Sequence, residues 1–160
     1  MLKKVQSSRR ARRPAGARFA IVASRYNARY VEGMLKAAQA VLRRSGAGEV
    51  KVVRVPGAYE IPVVTARLAG GQGRAGRFDA IVCLGVILRG ATTHAQHIGE
   101  AVTLALSQIQ VQHGVPVIHE VLLFENEQQA RERCLSRDHN RGAEAAHTAL
   151  DMAAVMRDLG

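Results

Sequence analysis

The sequence predicts one α/β domain, a three-layer sandwich in which helices cover both faces of a four-stranded parallel sheet. Three observations predict this class. Short continuous apolar runs alternate along the chain with longer segments whose apolar residues recur at spacings of three and four. The run at 19–23 is continuously apolar, as is typical of a strand buried on both faces. The length of 160 residues suits a single domain.

The first half of the chain provides two strands, each followed by a helix. In the first helix, Val31, Leu35 and Ala38 recur at helical spacing, and Ser45-Gly46 supplies its end. Pro56-Gly57 ends the second strand. The elements predicted in this half are strands at 19–23 and 50–55, helices at 29–44 and about 61–68, and a surface loop at 70–73.

The second half repeats the alternation and adds a last pair of helices. Its predicted elements are strands at 80–84 and 115–123 and helices at 95–112, about 126–135 and 141–158. Strands that alternate with helices run parallel and are joined by right-handed crossovers, which gives a sheet of the flavodoxin-like type. Ligands of such sheets bind beyond the carboxyl ends of the strands. The segments in which to seek function are therefore 24–28, 56–61, 85–94 and 122–128.

Positive charge is concentrated at the amino end. Residues 1–18 contain seven of the 23 Lys and Arg and no acidic residue, so the remainder, with sixteen basic and thirteen acidic side chains, carries +3 of the net +10. We expect a basic disordered tail at 1–17 and one domain at 18–160. The tail is compatible with a solvated segment, a nucleic-acid arm or an organelle transit peptide. Since only 4% of residues are aromatic, nucleic-acid binding is expected only non-specifically, through this tail.

Cysteine content and hydropathy bear on the compartment. Two cysteines, Cys83 and Cys134, are too few for a secreted disulfide scaffold and favour a reducing compartment. No apolar run approaches the roughly 20 residues that cross a bilayer, so no membrane partner is expected. We therefore expect a cytoplasmic location.

The segment that leaves the third strand carries the strongest chemical pattern. Gly90 allows a ligand to approach the backbone, and Ala91 and Thr92 would present N–H groups and a hydroxyl at a helix N-terminus, where phosphate binds. It is neither a Walker loop nor a G-x-G-x-x-G fingerprint, and a Thr cap on an ordinary helix is the alternative. Imidazole as a group titrates near neutrality, so a histidine at position 94 suits a proton shuttle. His94 and His97 share a helix face, but without a third ligand they predict no metal site.

A stiff turn follows the second strand. Pro56-Gly57 fixes the turn, and Pro62 restricts the residue before it. A rigid turn presents backbone N–H and C=O groups that suit the hydrogen-bonding edge of a heterocycle. The alternative is a purely structural turn before a helix.

Taken together, these segments resemble the lumazine synthase family over residues 18 to about 157. The segments that carry the resemblance are Arg25-Tyr26-Asn27, VPGAYEIP at 55–62, CLGVILRGATTH at 83–94, PVIHEVL at 116–122, NEQQARERC at 126–134 and NRGAEAAHTALDM at 140–152. The resemblance implies condensation of 5-amino-6-(D-ribitylamino)uracil with 3,4-dihydroxy-2-butanone 4-phosphate to 6,7-dimethyl-8-ribityllumazine, the penultimate step of riboflavin biosynthesis. It also implies a reaction with neither metal nor organic cofactor.

The resemblance assigns a role to each candidate site residue. It implies that His94 transfers protons, that Ala91 and Thr92 form the sugar-phosphate loop, and that Arg133 grips the phosphate. Tyr26 lies where the family stacks an aromatic ring, and Arg141 replaces a commoner Lys that donates to the pyrimidine. Contacts to the pyrimidine and its ribityl chain are implied for Ala58, Tyr59, Glu60, Val86, Ile87 and Leu88, and His119 lies where many members carry Phe.

The family assembles as pentamers, with decamers or shells of sixty subunits in some members. The resemblance implies that Tyr26, Glu60 and His94 come from one subunit and that His119 and Arg133 come from its neighbour. The sequence leaves the size of the assembly open. It also leaves open a catalytically weak paralogue that binds flavin or lumazine or forms shells, an alternative motivated by His119 and by the unusual segment at 95–97.

Overall fold

The computed structural model describes residues 15–71 and 76–160 and shows the predicted α/β sandwich. Its strands are β1 (Arg18–Ser24), β2 (Glu49–Val55), β3 (Ala80–Leu88) and β4 (Val117–Phe124). Its helices are α1 (Ala28–Arg44), α2 (Ile61–Ala69), α3 (His94–His113), α4 (Glu127–Cys134) and α5 (Arg141–Leu159), with a 3-10 turn at Ala58–Glu60. The three-layer architecture and the order of strands and helices are therefore confirmed.

The four strands run parallel in the order β2-β1-β3-β4. Val22 of β1 pairs with Val53 on one side and with Cys83 on the other, so the carboxyl ends of these strands meet at one edge. From β1 the chain crosses through α1 toward β2, whereas from β3 it crosses through α3 toward β4. The crevice between β1 and β3 is thus the switch point where open sheets of this kind bind ligands.

Two hydrophobic cores lie on opposite faces of the sheet. Phe19 and Ile21 of β1 face the core formed with α1, α4 and α5, whereas Ala20 and Val22 face the core formed with α2 and α3. The two central strands, β1 and β3, contribute continuous buried apolar runs to both cores, as the sequence predicts. Helices α1 and α5 pack so closely that a Cβ added to Gly142 would lie 2.0 Å from the carbonyl oxygen of Met34.

The observed ends of two strands differ from the prediction. β3 continues to Leu88, although the sequence predicts its end at Leu84. Gly85 suggests a break there, but it sits inside the strand because a Cβ at this position would lie 3.0 Å from Val121 and 3.2 Å from Ile61. Gly85 therefore serves close packing against β4 and α2. Strand β4 begins at Val117, two residues after the predicted start.

The amino-terminal boundary of the packed domain includes Ala17. This residue, assigned to the tail from the sequence, is 1% exposed, and its carbonyl accepts a hydrogen bond of 2.9 Å from the Gly48 N–H. The predicted tail up to residue 14 and residues 72–73 of the predicted loop lie outside the described residues. Within residues 15–71 and 76–160, no helix combines the length and the hydropathy needed to cross a membrane.

Both cysteines are buried free thiols on opposite faces of the sheet. The Sγ of Cys83 lies 3.2 Å from the Oγ1 of Thr65, and Cys134 ends α4. Burial raises the pKa of each thiol to about 12.

Candidate active site

A cleft of about 890 Å³ opens at the carboxyl ends of β1 and β3, at the switch point of the sheet. It brings together eight of the candidate residues predicted from the sequence. These are Tyr26, Ala58, Tyr59, Glu60, Val86, Ile87, Leu88 and His94. The volume is in the range of small-molecule sites.

The turn after β1 fastens the walls of this cleft to one another. Asn27 adopts a left-handed backbone with φ of 55°, the only such non-glycine residue in the described part of the chain. Its side-chain amide donates a hydrogen bond of 2.8 Å to the Val86 carbonyl, which joins the turn to β3. The Tyr26 N–H donates to the Pro56 carbonyl at 3.0 Å, which joins the turn to the end of β2. The Tyr26 ring, 69% exposed, is thereby held at the mouth of the cleft.

The turn after β2 forms the opposite wall, and Glu60 stabilises it. The Gly57 N–H donates to the Oε2 of Glu60 at 2.9 Å. A Cβ on Gly57 would lie 2.9 Å from that carboxylate oxygen and 2.9 Å from the Tyr26 ring, so a side chain here would displace both. Tyr59 beside it is 64% exposed. The stiffness predicted for this segment thus has a specific cause, and it fixes a carboxylate and two phenol rings around one opening.

The amino end of α3 brings two imidazoles to the cleft. His94 is the first residue of α3, is exposed, and has its N–H 3.4 Å from the Oγ1 of Thr92. His97 lines the same cleft one turn later. The sequence shows the spacing of the two histidines but assigns no role to His97.

Five of the candidate residues do not line this cleft within a single chain. They are Ala91, Thr92, His119, Arg133 and Arg141. Ala91 and Thr92 lie exposed in the loop just before His94, and Arg133 is exposed on α4. His119 and Arg141 each have a defined set of hydrogen-bond partners.

Arg141 is engaged in ion pairs on the far side of the sheet. Its Nε and Nη2 donate to the two carboxylate oxygens of Glu120, each at 3.0 Å, and its Nη1 donates to Glu144 at 2.8 Å. Glu120 is only 7% exposed, and its burial raises the pKa of the carboxyl to about 7 in spite of the adjacent guanidinium. The sequence did not indicate this pair.

His119 belongs to a second cleft, of about 660 Å³, between α3 and β4. Leu104 on the same wall is 61% exposed, and Val111, seven residues further along α3, is 79% exposed. This apolar stripe of Leu104 and Val111 on the exposed side of α3 indicates a surface that another molecule covers. The sequence predicted a role for His119 but not this cleft.

Among the described residues, no three His, Cys, Asp or Glu side chains come close enough to hold a metal ion. The polar groups that line the first cleft include imidazole, carboxylate and phenol side chains.

Comparison with known proteins gives a consistent result. The family model of 6,7-dimethyl-8-ribityllumazine synthase matches residues 16–157. The chain is 44% identical over 145 residues to the protein of that name from Kineococcus radiotolerans, which covers 89% of this chain and 87% of the relative. It is 41% identical over 145 residues to the one from Halorhodospira halophila, with 89% and 90% covered. It is 40% identical over 146 residues to the one from Xanthomonas oryzae pv. oryzae, with 90% and 92% covered.

Proposed function

The chain belongs to the 6,7-dimethyl-8-ribityllumazine synthase family, and we propose that the cleft between β1 and β3 is its active site. The protein is a transferase of riboflavin biosynthesis. It condenses 5-amino-6-(D-ribitylamino)uracil with 3,4-dihydroxy-2-butanone 4-phosphate to give 6,7-dimethyl-8-ribityllumazine, phosphate and water. The observation that carries the assignment of the site is the convergence of His94, Glu60 and Tyr26 on one opening at the switch point.

The reaction consists of condensation steps that need proton transfer at successive atoms. The 5-amino group adds to the ketone and water leaves to form an imine. Loss of a carbon-bound proton then allows the phosphate to depart, and the ribitylamino nitrogen closes the ring with loss of a second water. We assign the acceptance and return of these protons to His94, because its imidazole is exposed at the cleft.

The departing phosphate needs donors close to His94. Ala91 and Thr92 precede His94 in an exposed loop at the amino end of a helix that runs for 20 residues. The first N–H groups of such a helix have no partner within it, and the dipole favours an anion there. We assign the phosphate end of the ketone substrate to this loop.

A second copy of the chain completes the site in this proposal. Arg133 and His119 do not line the first cleft of their own chain, and the apolar stripe of Leu104 and Val111 is left uncovered. A head-to-tail contact would cover the stripe and bring both residues to the neighbour's cleft. Such contacts close into rings, which agrees with a pentamer and with larger assemblies built from pentamers. The alternative of a catalytically weak paralogue is not favoured, since the relatives are named as the enzyme.

The function is tested by mixing the purified full chain with the two substrates and following the absorbance of the lumazine product. We expect formation well above the uncatalysed rate. A rate no higher than that of the substrates alone would contradict the assignment. Heat-denatured protein at the same concentration is the control.

The shared site is tested by complementation. His94→Asn and Arg133→Ala chains are each expected to be strongly impaired in their own assemblies. When they are unfolded together and refolded, about one interface in four pairs an intact His94 with an intact Arg133, so we expect recovery of about a quarter of the wild-type rate. If the site lay within one chain, mixing would restore nothing, and a rate equal to the mean of the separate variants would contradict the proposal.

A further inference from the structure

The ring of His119 is held by hydrogen bonds on both of its nitrogens. The backbone N–H of Val121 donates to Nδ1 at 3.1 Å. The Nε2 lies 2.8 Å from the Oγ1 of Thr103 on α3. Thr103 in turn donates its hydroxyl hydrogen to the Gly99 carbonyl at 2.7 Å. A side chain of β4 is thus tied to one position of the neighbouring helix.

These partners permit only one protonation state of the imidazole. Because a backbone N–H can only donate, Nδ1 of His119 must accept and carries no hydrogen. The ring's single hydrogen is then on Nε2, and Thr103 must accept it. The hydroxyl is free to accept because its own hydrogen is committed to Gly99. Donor and acceptor roles therefore agree along the whole chain of bonds, and the ring is the neutral Nε2–H tautomer.

The surroundings of the ring favour the same state. Burial lowers the pKa of His119 below its ordinary value. Of the residues that line the cleft, Glu100 on α3 is the single ionisable group besides His119, and the β4 residues Val121, Leu122 and Leu123 are apolar. Glu120, the next residue along β4, is bound to Arg141 on the other face of the sheet. A second hydrogen on Nδ1 would point at the Val121 N–H, so protonation would break the arrangement.

We propose that Thr103 is a positioning residue that keeps the His119 ring neutral and in one orientation. The ring then presents its flat face to the pyrimidine bound in the neighbouring subunit's cleft. This inference rests on the proposed function, and specifically on the shared site. With both nitrogens engaged, His119 neither donates nor accepts a proton in the reaction, and that work is left to His94. His119 lies where many members of the family carry Phe. Its polar ring can take the place of that hydrocarbon ring because both of its nitrogens already have hydrogen-bond partners.

The test compares Thr103→Val, which keeps the shape and removes the acceptor, with Thr103→Ser, which keeps the hydroxyl. Solid-state ¹⁵N spectra of histidine-labelled full chain separate the two tautomers and the charged ring, and the His119→Asn spectrum identifies the His119 signals. We expect the Nε2–H tautomer in wild type and in Thr103→Ser. In both, the pKa of the His119 ring should lie below the ordinary value for histidine. In Thr103→Val the ring loses its partner on α3 and can turn away from the Val121 N–H, so we expect mixed tautomers.

The kinetic part of the test separates binding from chemistry. We expect Thr103→Val to raise the KM for the pyrimidine about tenfold, with kcat little changed and with KM restored in Thr103→Ser. The proposal is overturned if wild-type His119 is charged or Nδ1-protonated at neutral pH. It is also overturned if Thr103→Val leaves both the tautomer and the KM unchanged. Absence of lumazine formation by the wild-type chain would instead contradict the proposed function, since the spectra report on the ring alone.

Discussion

Two histidines of the proposed site illustrate how surroundings decide the role of a side chain. His94 is exposed at the start of α3, and its ring is open to solvent at the cleft. His119 has both nitrogens committed to Thr103 and Val121. The same residue type therefore serves proton transfer in one place and a rigid wall in the other.

Replacement of His94 by Asn is expected to lower kcat about ten- to a hundredfold, because a positioned general acid–base is lost while proximity of the substrates is retained. The free energy of unfolding should stay within about 0.5 kcal/mol of wild type, because the side chain is exposed. Steady-state kinetics and urea unfolding check both expectations. His147→Asn, an exposed histidine on α5, is the matched control. An unchanged kcat in His94→Asn would remove this imidazole from the mechanism.

The pKa of Glu120 makes stability depend on pH. Since burial raises the pKa of this carboxyl from 4.5 to about 7, the folded chain holds its proton more tightly than the unfolded chain. The stabilisation is complete below about pH 4.5 and is lost as the pH rises toward 7. Between pH 4 and pH 8, wild type should lose up to about 3 kcal/mol relative to Glu120→Gln, whose side chain cannot ionise.

Urea unfolding at a fixed protein concentration across this range checks the expectation for Glu120. Glu144→Gln is the control, because Glu144 also contacts Arg141 but lies at the surface. That variant should retain the pH dependence of wild type. Parallel stability curves for wild type and Glu120→Gln would show that Glu120 is ionised throughout.

At the level of single residues, the sequence predicted which candidate residues lie together in one cleft of the chain. Tyr26, Glu60 and His94 follow different strands, and the parallel sheet brings their strand ends together. The bond from Thr103 to His119 joins positions on α3 and β4 by side-chain geometry, which no spacing in the sequence reveals. The pairing of Arg141 with Glu120 was missed for the same reason.

Among the elements, the contact of α5 with α1 is the most sensitive to added volume. The Cβ of Gly142→Ala would meet the Met34 carbonyl oxygen at 2.0 Å, and backbone atoms cannot turn aside as a flexible side chain can. We expect destabilisation of about 3 kcal/mol or failure to fold. Thr148→Ala, on the exposed side of the same helix, should change stability by no more than about 0.5 kcal/mol. Thermal and urea unfolding distinguish the two, and equal stabilities would mean that the helices separate at little cost.

The elements were predicted well where apolar periodicity is unbroken, and less well where a glycine serves packing. Helix α1 was predicted within one residue at its start and at its end. The last four residues of β3 were predicted as loop because Gly85 resembles a breaker, although its missing side chain is what admits Val121 and Ile61. Glycine signals a turn and close packing alike, and the sequence alone does not separate the two uses.

For the whole molecule, assembly is the property that the proposed site requires. Leu104→Glu places a charge in the apolar stripe of α3 and is expected to yield smaller species in sedimentation, with normal circular dichroism and little activity. Leu159→Glu, 77% exposed at the end of α5, is the matched control and should sediment as wild type. If Leu104→Glu sedimented in the same way as wild type, the subunits would have to meet at a surface other than this stripe.

The burial of both cysteine sulfur atoms has a practical consequence for labelling experiments. Alkylating reagents attack the thiolate, so Cys83 and Cys134 become reactive only when β3 or the end of α4 is transiently released. The rate of labelling at each position then reports how often that region opens. A cysteine introduced at the surface would accept a fluorophore without removal of the two native cysteines, so exchange of subunits in the proposed assembly could be followed directly.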